Sequence, residues 1–124
     1  MNYRTPLARA RGLGSAGEGA HHWRIQRISA IALLPLSLWF ALSLGSLDSL
    51  DFDVVTAWLS KPWVPALLSL FFATAYYHAM LGLQVVIEDY VHGELVRNTL
   101  LIGVKLLAAL MAVSTIISIL RVAL

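Results

Sequence analysis

Three apolar runs, at about residues 28–47, 63–87 and 99–124, take up over half of this 124-residue chain, and each is near or above the roughly 20 residues that a helix needs to cross ~30 Å of hydrocarbon. That pattern leaves few folds open. A 59% hydrophobic content and a mean hydropathy of +0.76 exclude an ordinary soluble domain with a polar surface. No segment of the ~50 residues needed for a separate soluble catalytic unit remains, so an active site for soluble substrates is expected on a partner. The predicted fold is all-α: an integral membrane anchor of three transmembrane helices, residues 28–124, behind a basic arm, residues 1–27.

The formal charge of +2 and pI near 9.3 do not point to nucleic acid, because the positive charge is concentrated in the arm rather than on a face. Arg4, Arg9, Arg11, Arg24 and Arg27 stand there against the single acid Glu18, and Gly12, Gly14, Gly17 and Gly19 predict a flexible segment. Asp48, Asp51 and Asp53 follow the first span with only Lys61 beside them, so the N-terminus and the 88–98 connection are expected on the cytoplasmic side. A removable leader is not expected, since the first span begins too soon to leave a mature start. The absence of cysteine rules out disulfides and thiolate metal sites, so any metal chemistry of this chain falls to histidine.

Pro35 can kink the first span without ending it. Ser29 and Ser37 are small enough for close helix contact. Residues 53–60 read as a short interfacial helix anchored by Trp58, while Trp23, Trp39 and Trp63 read as belt or packing residues. Lys105, one turn into the expected third span, can snorkel to the interface and is assigned no chemistry.

Residues 76–92 are the chemically informative stretch. At the helical period His78, Gly82, Val85 and Asp89 share one face, and Gly82 leaves room beside the imidazole for a flat ligand. A histidine roughly 15 Å below the membrane surface costs free energy unless it is paired. Two readings are open: a neutral ring hydrogen-bonded to another helix, or an axial ligand of a haem iron. His21, His22 and His92 lie at or beyond the interface, so a second axial ligand would come from a partner subunit. Asp89 and Tyr90, about 17–18 Å further along the axis, combine a phenol that can donate to a carbonyl with a carboxylate that can hold or move a proton. Quinones require that pair, although an interfacial tyrosine beside a solvated helix end accounts for it as well. Arg27 suits positive-inside anchoring and can also turn inward to an anionic group such as a haem propionate.

Two patches, Gly19-Ala20-His21-His22-Trp23-Arg24-Ile25-Gln26-Arg27-Ile28-Ser29-Ala30 and His78-Ala79-Met80-Leu81-Gly82 through Asp89-Tyr90-Val91, resemble the smaller hydrophobic membrane anchor of succinate dehydrogenase, respiratory complex II, in its alphaproteobacterial branch. The resemblance covers essentially the full length. It implies that His78 is an axial ligand of haem b shared with a second membrane anchor subunit, that His21 and Arg27 lie near the propionates, and that Tyr90 hydrogen-bonds ubiquinone with Asp89 beside it. It also implies flavoprotein and iron–sulfur subunits on the cytoplasmic face of a bacterial inner membrane, passing electrons from succinate to ubiquinone. The rival readings are the anchor of a fumarate reductase-type quinol enzyme, a haem-free scaffold, and a subunit of a proton path through His78 and Asp89.

Overall fold

The computed structural model describes residues 5–7 and 16–124, with Arg4, Arg9 and Arg11 of the basic arm outside that range. Within residues 16–124 four helices follow in order: α1 (Ala16–Gly45), α2 (Phe52–Leu59), α3 (Trp63–Tyr90) and α4 (Glu94–Ala123). Three are long and apolar enough to span a bilayer, over Gly19–Gly45, Trp63–Tyr90 and Glu94–Ala123. The short α2 lies between the first two spans, as the 53–60 pattern predicts.

Three boundaries differ from expectation. Helix α1 starts at Ala16 rather than near Ile28, so the arm's Gly17 and Gly19 are helical and His21, His22, Arg24 and Arg27 ride on the same rod as the first span. Glycine in a helix costs roughly 1 kcal/mol relative to alanine, too little to stop a helix that continues directly into a span. Helix α4 starts at Glu94 rather than near Thr99. Helix α3 also runs on to Tyr90, past the expected end at 87, so the polar connection shrinks to residues 91–93: charged residues such as Asp89 and Arg97 disfavour hydrocarbon but not the helix, and Arg97 shows it. Its backbone N–H donates to the Gly93 carbonyl at 2.8 Å. So short a link makes α3 and α4 antiparallel neighbours.

The prolines agree with the helices around them. Pro65 stands in the first turn of α3, where its missing N–H would have had no intrahelical partner. Pro35 lies inside α1, which runs on through it.

Packing is organised about α3. Both α1 and α4 lie against it, whereas among the described residues α1 and α4 never approach within 8 Å Cα to Cα of each other. One end of the row is sealed by apolar contact. Trp58 and Leu59 of α2, Val64 and Leu68 of α3, and Ile119 of α4 form a buried cluster, flanked by Trp39, Phe40 and Leu44 of α1. Trp58, expected as an interfacial anchor, is instead buried, with its ring stacked 6.3 Å from that of Trp39 and its Nε1–H donating to Ser43 Oγ at 2.9 Å. The amphipathic α2 turns this ring inward, and the indole tolerates burial because its one polar atom finds a partner. From there an aromatic run, Phe40, Phe71, Phe72 and Tyr76, with centroids 5.0–6.2 Å apart, climbs towards the middle of the row.

Elsewhere the outer surfaces are apolar and open. Ile31, Leu34, Leu38 and Leu42 stripe α1, and Leu106, Leu110, Val113 and Ile117 stripe α4, all more than half exposed. Such faces are stable only against lipid or another apolar helix.

Three spans put the loop before α2 and the turn before α4 on opposite sides of the membrane. With no native cysteine to interfere, Leu50→Cys and Gly93→Cys are clean reporters. In sealed vesicles of one orientation, an impermeant maleimide is expected to label one of them from outside and the other only after permeabilisation. Labelling of both from the same side would rule out the three-span topology.

Candidate functional site

Among the described residues, the one buried polar side chain is Ser29, 5% exposed on the face of α1 that meets α3. Its hydroxyl donates to the Gln26 carbonyl, 2.8 Å away and one turn back in the same helix. The same oxygen is 2.8 Å from Nδ1 of His78. His78 is thus tied to α1 through one ring nitrogen. No side chain among the described residues hydrogen-bonds its Nε2, and that atom is not among the buried unpaired polar atoms. A second polar tie, Tyr76 Oη to Thr115 Oγ1 at 3.0 Å, joins α3 to α4 two residues before His78. In hydrocarbon each such bond is worth ~0.6 to 2 kcal/mol, since neither partner has water to turn to.

Towards the α3 C-terminus the α1–α3 seam opens into a cleft of about 460 Å³, lined by Gly19, His22, Trp23, Gln26 and Arg27 of α1 and by Gly82 and Val85 of α3. The face predicted to carry His78, Gly82 and Val85 is therefore the face turned to α1. A Cβ added to Gly82 would meet nothing within 4 Å, so no packing among the described residues requires glycine there. The Arg27 guanidinium sits 4.4 Å from the centroid of the Trp23 ring, a cation–π contact that holds the charge at the mouth of the cleft. His22 Nε2 and Gln26 Oε1 are buried at its wall with no hydrogen-bond partner among the described residues. His21, by contrast, is exposed.

Asp89 and Tyr90 end α3, and both are exposed, Tyr90 at 77%. At about 1.5 Å per residue they lie some 17–18 Å along the axis from His78. Neighbouring polar side chains on the last turns bond locally, with Gln84 Nε2 donating to Glu88 Oε1 at 3.1 Å. The structure brings Arg27 and Gly82 to one cleft and ties His78 to the same pair of helices. Asp89 and Tyr90 stand outside that cleft.

The pairing of Ser29 with His78 escapes sequence reasoning, which takes Ser29 only as a small residue allowing close helix contact. The available signal is that hydroxyls on neighbouring spans commonly satisfy intramembrane polar groups. Lys105 also differs. With α4 beginning at Glu94 it lies about 16 Å along that helix rather than one turn in, and it lines a small cleft with Tyr76, Tyr77 and Met80 of α3. Among the described residues no group of three or more His, Asp or Glu side chains could chelate a metal ion.

Comparison with known proteins adds an independent line. Residues 1–120 match the model of the succinate dehydrogenase/fumarate reductase transmembrane subunit family. A hydrophobic membrane anchor subunit of succinate dehydrogenase from Rickettsia bellii is 40% identical over 120 residues, 95% of this chain and 94% of that one. The Rickettsia conorii protein of the same description is 34% identical over 118 residues, 94% of each chain. That from Paracoccus denitrificans is 34% identical over 94 residues, covering 75% of this chain and 72% of its own. No solved structure matches significantly. With three membrane-length helices, an α1–α3 seam carrying the intramembrane histidine, and these relatives over nearly its whole length, the chain belongs to the succinate dehydrogenase/fumarate reductase transmembrane subunit family.

Proposed function

We propose that this chain anchors a succinate:ubiquinone oxidoreductase in a bacterial inner membrane, N-terminus cytoplasmic, and contributes one axial ligand to a haem b and part of a ubiquinone site. The single observation that carries the reading is His78, held at membrane depth by one nitrogen, with no hydrogen-bond partner for the other among the described residues. A purely structural histidine would be expected to use both ring nitrogens or to point one at water.

The donor set suits such a group. One neutral imidazole, a clear contour over Gly82 and an arginine at the mouth of the adjoining cleft match a flat macrocycle with anionic substituents. A second ligand to the iron would come from the partner anchor subunit, because His21 and His92 are exposed and His22, seven residues before Ser29 on α1, lies about 10 Å along the helix from the level of His78. Haem, when bound, supplies a one-electron store whose potential is set by its ligands and burial. Arg27 offsets the charge of a propionate, aided by the Trp23 ring that fixes its guanidinium; His21, on the same helix, lies on the same side of the membrane.

Tyr90 donates a hydrogen bond to a ubiquinone carbonyl, which orients the ring and stabilises charge as it develops on that oxygen. Asp89 holds or relays a proton from interfacial water to the reduced oxygen. Their exposure means that the quinone pocket is completed by other subunits. Iron–sulfur and flavoprotein subunits, docked on the cytoplasmic side, oxidise succinate and deliver the electrons. The relatives' names favour succinate oxidation over the fumarate reductase direction.

Three outcomes are expected of the assembled complex. His78→Tyr loses or shifts the b-type band in the reduced-minus-oxidised spectrum; an unaltered band, with both anchors present, would leave a haem-free scaffold as the better account. Gly82→Leu leaves this chain inserted and helical, because its Cβ meets nothing within 4 Å and the rest of the side chain has the cleft to enter, yet weakens the same band. Tyr90→Phe lowers succinate:ubiquinone activity about tenfold, the worth of one hydrogen bond of ~1.4 kcal/mol, while succinate oxidation with a soluble dye is unchanged. Equal quinone rates in variant and parent would remove Tyr90 from the site.

A further inference from the structure

The network around Ser29 bears on which nitrogen of His78 carries hydrogen. A serine hydroxyl has one proton to give and lone pairs to accept with. The Gln26 carbonyl can only accept, and it lies 2.8 Å from Ser29 Oγ within the same helix, so a hydroxyl proton given there is not given to His78. In that arrangement Ser29 offers His78, 2.8 Å away on α3, a lone pair. The ring atom facing that lone pair, Nδ1, then carries the hydrogen. A neutral imidazole has a single N–H, which leaves Nε2 bare and able to donate an electron pair.

We propose that Ser29 is a positioning residue for His78: its hydroxyl, oriented by the Gln26 carbonyl, holds the imidazole as the Nδ1–H tautomer and presents Nε2 as the ligating nitrogen. The proposal rests on the haem reading above and adds to it the device that selects the nitrogen. Without the hydroxyl the two tautomers compete, and the ring loses its hydrogen bond to α1. Ser29 is buried and the pair lies at membrane depth, so water does not substitute for it. Donation from Nδ1–H to an oxygen also makes the ring a stronger electron donor through Nε2, which favours the ferric over the ferrous iron.

The test compares Ser29→Thr, Ser29→Val and Ser29→Ala in membranes holding the assembled complex, with His78→Tyr alongside. Threonine keeps a hydroxyl that can reach the carbonyl one turn back; valine has nearly the same shape without it. Haem occupancy under limiting haem and the midpoint potential of the b-type centre are both read. Threonine is expected to match the parent. Valine and alanine are expected to hold haem about tenfold less tightly, and a tenfold loss confined to the ferric form raises the midpoint by about 59 mV. Alanine adds no bulk, so it carries the comparison if the β-branched variants assemble poorly. Valine and alanine indistinguishable from threonine in both readouts, with His78→Tyr abolishing the band, would overturn the role of Ser29 and leave the haem reading standing. A band that survives His78→Tyr would instead overturn the haem reading itself.

Discussion

Hydrocarbon offers no water to a polar group, and that constraint orders the whole chain. Backbone groups answer it by forming three uninterrupted helices. Side chains answer it in pairs: Trp58 with Ser43, Tyr76 with Thr115, and Ser29 with both Gln26 and His78. Each pair joins elements distant in sequence, or orients a group that does. The apolar contacts set how close the helices come, whereas the polar ones decide their rotation and register, because a hydroxyl that misses its partner by an ångström loses the bond.

This division explains what can be read from the sequence. The three spans, the short α2 between them and the depth of His78 follow from composition and period alone, since transmembrane length is imposed from outside the chain. The face shared by His78, Gly82 and Val85 is legible too, and it is the face turned to α1. Helix ends are less so: Ala16 and Glu94 begin helices that extend well beyond the apolar windows, because hydropathy reports where a membrane lies and not where hydrogen bonding stops. Trp58 is misplaced for a related reason. An indole near a span end has the composition of a belt residue whether it faces lipid or a neighbouring helix, and only the rotation of α2 decides between them.

The candidate site divides in the same manner. Its residue types announce themselves, since an imidazole at depth and an Asp-Tyr pair at a helix end stand out in so apolar a chain. Partnership does not: serine is common in membrane helices, and neither composition nor period separates Ser29 from Ser37. Three-dimensional contact does, with Ser29 buried against α3 and Ser37 exposed. Likewise Trp23 and Arg27, one turn apart, form their cation–π contact only because the arm continues as helix.

The row-like packing, in which α1 and α4 each meet α3 but not each other, bears on assembly. A closed bundle hides its central helix; a row leaves α3 with an uncovered flank along much of its length. Residues on the seam such as His78 and Gly82 then border a flank that only lipid or another apolar helix can cover. An uncovered flank of that kind is at ease in lipid, yet it leaves the rotation of α3 to its two neighbours, with one side-chain hydrogen bond to each among the described residues.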